Sequence, residues 1–264
     1  MVRLSSTRDA IAAVGGARDV QACAYTMRDG PMLRALEDAA RRGAHVVVRL
    51  DGADRPAEDG IARNNRGIVR RLRAAGADAA LRRGTHAKSI VADGAAYFDG
   101  RNWGEGDFVL RDDGACGVAG TKRDALALEA ALLGRASAAD GVLVESESFG
   151  TGNPVYGALH ALARAGASPR LMVSERDLRH NARERAILER LQHDGARVRV
   201  CPDSEKFAVA GSRAWIGSAN ASFALRDAGD LTDWGLTTGD AAVVAAARDR
   251  VERRWTAAKP LTAA

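Results

Sequence analysis

The sequence predicts an α/β protein made of two similar halves, each a mixed β-sheet flanked by helices, related by a pseudo-two-fold axis. Three observations carry this. Apolar residues at helical spacing alternate with short β-branched runs, the pattern of helices layered on a sheet. Two pairs of short apolar runs are joined by two-residue turns, Asp93-Gly94 and Gly211-Ser212. Finally, Lys88 and Lys206, Asn102 and Asn220, Asp93 and Gly211, and Gly117 and Gly235 each stand 118 residues apart.

In the first half, Pro31 to Asp51 reads as a helix and then a strand. Leu33, Leu36, Ala39 and Ala40 share a helical face, Gly43 supplies the stop, and Val46-Val47-Val48 is a buried-strand run. A second helix is predicted over Ile61–Ala75, closed by Gly76. Ile68, Val69 and Leu72 point inward, and Arg66, Arg70, Arg71 and Arg73 form a solvated outer face. Ser89–Ala92 and Ala95–Phe98 then flank Asp93-Gly94, a hairpin signature because both turn positions need positive φ.

The second half repeats the plan. A helix over Tyr156–Ala165 ends at Gly166, Leu171–Val173 is a strand, and a helix over Ala182–His193 ends at Gly195. Val198–Val200 is a strand, and Phe207–Ala210 with Arg213–Ile216 forms the second hairpin. The copies are expected to meet near Arg135–Gly141, giving domains 1–138 and 139–264. Two such halves in one chain pack as a homodimer would, with equivalent residues facing one cleft. A monomer holding this internal pseudo-dimer is expected, with a homodimer as the alternative.

Composition narrows the function. In 264 residues, 39 Lys and Arg oppose 34 Asp and Glu, a net charge of +5 that suits an anionic partner. Only four of the basic residues are lysines: Lys88, Lys122, Lys206 and Lys259. Where arginine is otherwise the rule, a lysine marks a place that needs a compact ammonium. No apolar run is long enough to span a membrane, and the N-terminus lacks a signal-type apolar stretch, so the expected location is cytoplasmic. Cys23, Cys116 and Cys201 have no metal-ligand spacing and read as reduced, structural thiols.

The chemistry sits around His86 and Lys88, two residues apart and therefore expected on one strand face, with the hairpin returning Asn102 beside them. An imidazole, an ammonium and a carboxamide suit a phosphodiester: a nucleophile, a countercharge and an N–H donor for a non-bridging oxygen. No metal and no cofactor is required.

These residues resemble the phospholipase D superfamily. His86-x-Lys88-x4-Asp93 followed by Gly100-Arg101-Asn102 matches its HxK-x4-D motif and Gly-x-Asn element, and Gly217-Ser218-Ala219-Asn220 matches its Gly-Ser-x-Asn. The likeness runs from about Asp19 to about Asp240. It implies two phospholipase D-like halves, one histidine attacking phosphorus to form a phosphohistidine, and a second protonating the leaving group. The second motif departs from this pattern. Ser204 stands where the histidine belongs, Lys206 is kept, and Gly211 replaces the aspartate.

No obvious residue supplies the missing acid. Strand alternation points Glu205 away from the site. His180 and His193 lie in or near an arginine-rich helix, and His45 and His160 read as ordinary fold or surface histidines. Asp233, 29 residues beyond Ser204, stands where the family places an acid that orients the motif histidine, so it is expected to orient Ser204 or to act as an acid itself. Its counterpart is Ala115, leaving Asp113 as the first half's substitute. Trp103 and Trp215 read as packing residues.

The resemblance therefore implies a metal-independent phosphodiester hydrolase acting on a phospholipid or related phosphodiester. His86, Lys88 and Lys206 are its expected catalytic groups. Asn102, Ser218 and Asn220 are expected to bind phosphate, with Asp93, Asp113, Ser204 and Asp233 supporting. The alternatives are a nuclease of the same superfamily and a catalytically impaired protein that binds phosphate or nucleic acid.

Overall fold

The computed structural model describes residues 2–52, 59–104, 106–113, 120–179, 181–222 and 231–262. Cys116, Ala115, Gly117 and His180 lie outside them. The chain forms two compact units, one of Met1–Val118 with Asp230–Trp234 and one of Ala119–Gly229 with Gly235–Ala264.

The first unit runs β1 (Val2–Ser5), α1 (Thr7–Gly16), β2 (Asp19–Ala24), α2 (Pro31–Arg41), β3 (His45–Asp51), α3 (Asp59–Ala74), β4 (Asp78–Arg82), β5 (Ser89–Ala92), β6 (Ala95–Asp99) and β7 (Val109–Asp112). Its seven strands take the order β1-β7-β6-β5-β2-β3-β4. β2, β3 and β4 are parallel, joined through α2 and α3, while β5, β6, β7 and β1 pair antiparallel. The helices form where the periodicity places them. Pro31 opens α2, where its missing N–H costs nothing, and Leu33, Leu36 and Ala39 are fully buried beneath it. Ile68, Val69 and Leu72 of α3 are buried while Arg66, Arg70, Arg71 and Arg73 stay exposed.

The second unit runs α4 (Lys122–Leu133), β8 (Leu143–Ser146), α5 (Pro154–Arg164), β9 (Arg170–Ser174), α6 (Glu175–Leu178), α7 (Ala182–His193), β10 (Arg197–Cys201), β11 (Phe207–Ala210), β12 (Arg213–Gly217), β13 (Gly235–Thr238), α8 (Ala241–Ala257) and β14 (Lys259–Pro260). Its seven strands take the order β13-β12-β11-β8-β9-β10-β14. Each unit is thus a mixed sheet flanked by helices, and each has its own apolar core, around Leu36, Leu50, Leu72 and Ile90 in the first and Leu126, Leu159, Leu188 and Trp215 in the second.

The repeat extends further than the motifs that reveal it. Helix α4 is the counterpart of α1. Ser6 accepts from the Asp9 amide and Thr121 from the Asp124 amide, so the same side-chain cap opens both helices. Thr7 then bonds the Gly104 carbonyl, and Lys122 bonds Ser222, which lies 118 residues after Gly104. By packing, the second unit begins before α4.

The two hairpins differ at their turns. Asp93 sits at φ 46 and its carboxylate accepts the amides of Arg18 and Asp19 at 3.0 and 2.9 Å, tying the turn to β2. Gly211 sits at φ 53, where a Cβ would come within 2.4 Å of an Asp140 carboxylate oxygen. The aspartate missing from the second motif is thus a turn residue that its own surroundings exclude.

Candidate active site

His86 and Lys88 lie just ahead of β5 rather than within it: residues 86–88 have no regular secondary structure, and the strand begins at Ser89. The Asp99 amide still donates to the Lys88 carbonyl at 3.0 Å, which keeps the motif in register with the hairpin. A segment from far along the chain aligns beside it. Thr232 forms a parallel bridge with Thr85. Its amide donates to the Gly84 carbonyl at 2.8 Å, and the His86 amide donates to the Thr232 carbonyl at 3.1 Å. Trp234 anchors the segment, its buried indole N–H donating to the Asp99 carbonyl at 2.9 Å.

That anchoring sets Asp233 against His86. A carboxylate oxygen lies 2.6 Å from Nδ1, with the aspartate side chain 0% exposed and the histidine 16% exposed. A carboxylate there holds the proton on Nδ1 and leaves the Nε2 lone pair for bonding. The expectation that Asp233 orients Ser204 is therefore corrected: its partner is the first-half histidine, 147 residues away.

Lys88 is 2% exposed, and its Nζ donates to the His86 carbonyl at 2.7 Å while standing 3.3 Å from Nε2. The ring of Tyr25, just beyond β2, lies 5.0 Å from the imidazole and 5.7 Å from the ammonium, walling both. The next residue, Thr26, meets Asn102; with the Asn102 amide turned so that its nitrogen faces the backbone, it donates to the carbonyls of Thr26 and Arg101 at 3.2 and 3.3 Å.

Two buried side chains outside the motif shape this rim. Asn65 is fully buried and donates to the carbonyls of Tyr25 and Asp51 at 2.8 and 2.9 Å, satisfying backbone where β2 and β3 end. Asp99 accepts the amides of Arg101 and Trp103 and so folds the loop that carries Asn102. Burial, and then the nearby Asp107 carboxylate, push the Asp99 carboxyl up to about 7 against those amides.

Other expected residues lie elsewhere. Asp93 is at the opposite end of β5 from His86. Asp113 forms exposed ion pairs with Arg3 and Arg111 at 2.8 and 2.6 Å. His193 is 89% exposed, His45 lies beside Asp19, and His160 stacks on Tyr156 and pairs with Asp194. Trp103 and Trp215 are buried.

The second copy holds its lysine differently. Lys206 is 5% exposed and its Nζ lies 3.0 Å from Oε2 of Glu147, an acid that spacing alone did not single out. Asn220 donates to the same oxygen at 3.4 Å, while its own buried Oδ1 has no hydrogen-bond partner. Ser204 is buried with its hydroxyl likewise unpartnered, and Ser218 is fully buried. Glu205 turns to the other face, as strand alternation predicts, and bonds Arg250; next to it, Glu145 pairs with Arg254. Among the described residues, no group of three or more His, Cys, Asp or Glu side chains could hold a metal ion.

No protein-family model matches the sequence, and no curated protein is similar to it in sequence. The structure does have relatives. It is similar to phosphatidylserine synthase from Haemophilus influenzae Rd KW20, with a TM-score of 0.65 at 10% identity over 98% of this chain and 87% of that one. It is also similar to polyphosphate kinase from Porphyromonas gingivalis, with a TM-score of 0.62 at 15% identity over 97% of this chain. The fold is phospholipase D-like.

At these identities the likeness is one of fold, and the chain spans half the length of the polyphosphate kinase. Within the phospholipase D-like fold, the first unit brings His86, Lys88 and Asp233 together with Asn102 nearby, and the second brings Lys206 and Asn220 together on Glu147. Sequence reasoning missed Tyr25, Asn65, Asp99 and Glu147. Only a strand register could have found Tyr25 and Glu147, because each lies just past a strand whose neighbour carries the motif.

Proposed function

We propose that the protein is a phosphodiester hydrolase that works through His86. The observation behind this reading is the Asp233 carboxylate 2.6 Å from Nδ1, with the Lys88 ammonium 3.3 Å from Nε2. Nε2 attacks phosphorus, a phosphorus–nitrogen bond forms, and the ester P–O bond breaks to release an alkoxide. Lys88 balances charge on the non-bridging oxygens, and Asp233 stabilises the positive imidazole as it forms. Water then cleaves the phosphorus–nitrogen bond and returns the histidine. The chemistry uses no metal ion.

With Ser204 in place of a second histidine, the second copy offers no ordinary general acid near neutral pH. Esters whose leaving group departs unprotonated are the better substrates, and natural alkyl esters turn over slowly. Exposed arginines favour a polyanionic phosphodiester such as nucleic acid over a lipid. Arg28 follows β2, Arg82 and Arg83 close β4, and Arg63 and Arg66 lie in the first two turns of α3. In the parallel part of the sheet, these positions gather at the end where His86 lies.

The test is turnover of bis(p-nitrophenyl) phosphate together with acid-labile, base-stable phosphohistidine. His86→Ala is expected to remove turnover by roughly 10³-fold or more. Turnover that survives the substitution overturns the reading. With a DNA substrate, binding is expected to weaken steeply with salt. A salt-insensitive affinity favours a small phosphodiester instead.

A further inference from the structure

In the second copy, a side chain of the protein itself occupies the place of an anion. The strand register defines the equivalence. β2 pairs with β5 through Cys23 and Ser89, and β8 pairs with β11 through Glu145 and Phe207, with Ser89 and Phe207 in matching places of their motifs. Two residues beyond each pair stand Tyr25 and Glu147. The first copy therefore has an aromatic wall where the second has a carboxylate. A single oxygen of that carboxylate, Oε2, accepts from Lys206 Nζ at 3.0 Å and from Asn220 Nδ2 at 3.4 Å. An ammonium and a carboxamide converging on one anionic oxygen is the donor set this motif would present to a non-bridging phosphate oxygen. The Glu147 side chain is 38% exposed, whereas Lys206 is 5% exposed.

We propose that Glu147 is an internal surrogate for phosphate, which occupies the second copy's lysine and asparagine and withholds them from an incoming phosphoryl group. Phosphate reaches Lys206 only by displacing a carboxylate of its own sign. Glu147 thus determines specificity: it disfavours compact anions at this motif. This inference rests on the phosphodiesterase reading for the identity of the anion.

The experiment is calorimetric titration of inorganic phosphate into the full-length protein, its Glu147→Gln and Glu147→Tyr variants, and Glu147→Gln combined with Lys206→Ala. Glu147→Gln keeps the shape and removes the charge. Glu147→Tyr installs the residue of the first copy and is a second route should the amide variant misfold. Either single variant is expected to bind phosphate about ten-fold or more tightly than the parent. Adding Lys206→Ala to Glu147→Gln is expected to cancel that gain. The inference is overturned if properly folded Glu147 variants bind phosphate no more tightly, or if the gain persists without Lys206. Loss of the phosphodiesterase reading would show instead as turnover that ignores His86→Ala, a measurement separate from the phosphate titration of the Glu147 variants.

Discussion

The first copy of the motif has a lysine beside an imidazole, under an aromatic ring and next to a histidine held by a buried aspartate. The second has a lysine satisfied by its own glutamate and a serine with no partner where the imidazole would stand. Their strands, hairpins and lysine spacing are shared, so the backbone does not separate them. The residue just past the strand does: Tyr25 in the first copy, Glu147 in the second. In the first copy the lysine meets the Tyr25 ring and the His86 carbonyl. In the second, where it meets a carboxylate, it is already occupied. Keeping motif residues therefore does not by itself keep a motif's function.

Breaking the first copy should have the largest effect. Asp233→Asn removes the charge that fixes the His86 tautomer and stabilises the imidazolium. Turnover of bis(p-nitrophenyl) phosphate is expected to fall by roughly 10²-fold or more, with KM little changed. An equal loss carried by KM would make Asp233 a binding residue instead.

The next effect spans both copies and depends on pH. Burial, ahead of all other causes, raises the carboxyls of Asp99 in the first unit and Glu184 in the second to about 7, and pushes that of Glu129 on α4 well above its ordinary range. A folded pKa above the unfolded one means that the folded state binds more protons. Stability is then fullest below the ordinary carboxyl range and is lost as pH rises toward 7, at roughly 1 kcal/mol per pH unit for each group. Thermal melts are expected to peak at mildly acidic pH, with Asp99→Asn and Glu184→Gln each flattening the decline. A Tm that climbs between pH 5 and 8 would contradict these burial effects.

Exchanging the turn residues sharpens the comparison. Gly211→Asp forces a side chain against Asp140 and is expected to destabilise the protein by about 1–3 kcal/mol in urea titration. Asp93→Gly loses two backbone hydrogen bonds but relieves a positive φ, for a net cost of about 1 kcal/mol or less. Ser204→Ala is expected to move Tm least, because its buried hydroxyl has no hydrogen bond to lose. A clear drop would show that the serine has a partner in solution.

Much of the scaffold could be read along the chain. Helices α2, α3, α5 and α7 follow from their apolar stripes, and both hairpins from their turn residues. The closeness of His86 and Lys88 follows from their spacing, even though the regular strand starts one residue later. Helices α1, α4 and α8 escaped attention because alanine-rich segments carry weak periodicity. The short strand β14 is only Lys259–Pro260 and has no pattern of its own.

The sequence by itself determined the doubled α/β plan, the placement of the two lysines and two asparagines, and the loss of the second histidine. Those depend on periodicity, turn chemistry and spacing, all local properties of the chain. Tertiary structure alone decided which charge each group meets: Asp233 on His86 across 147 residues, and Glu147 on Lys206 across 59. Such pairings are set by strand register and by the anchoring of Trp234 beneath Asp99. Electrostatic energy depends on distances of a few ångströms in space, and residue number does not encode them.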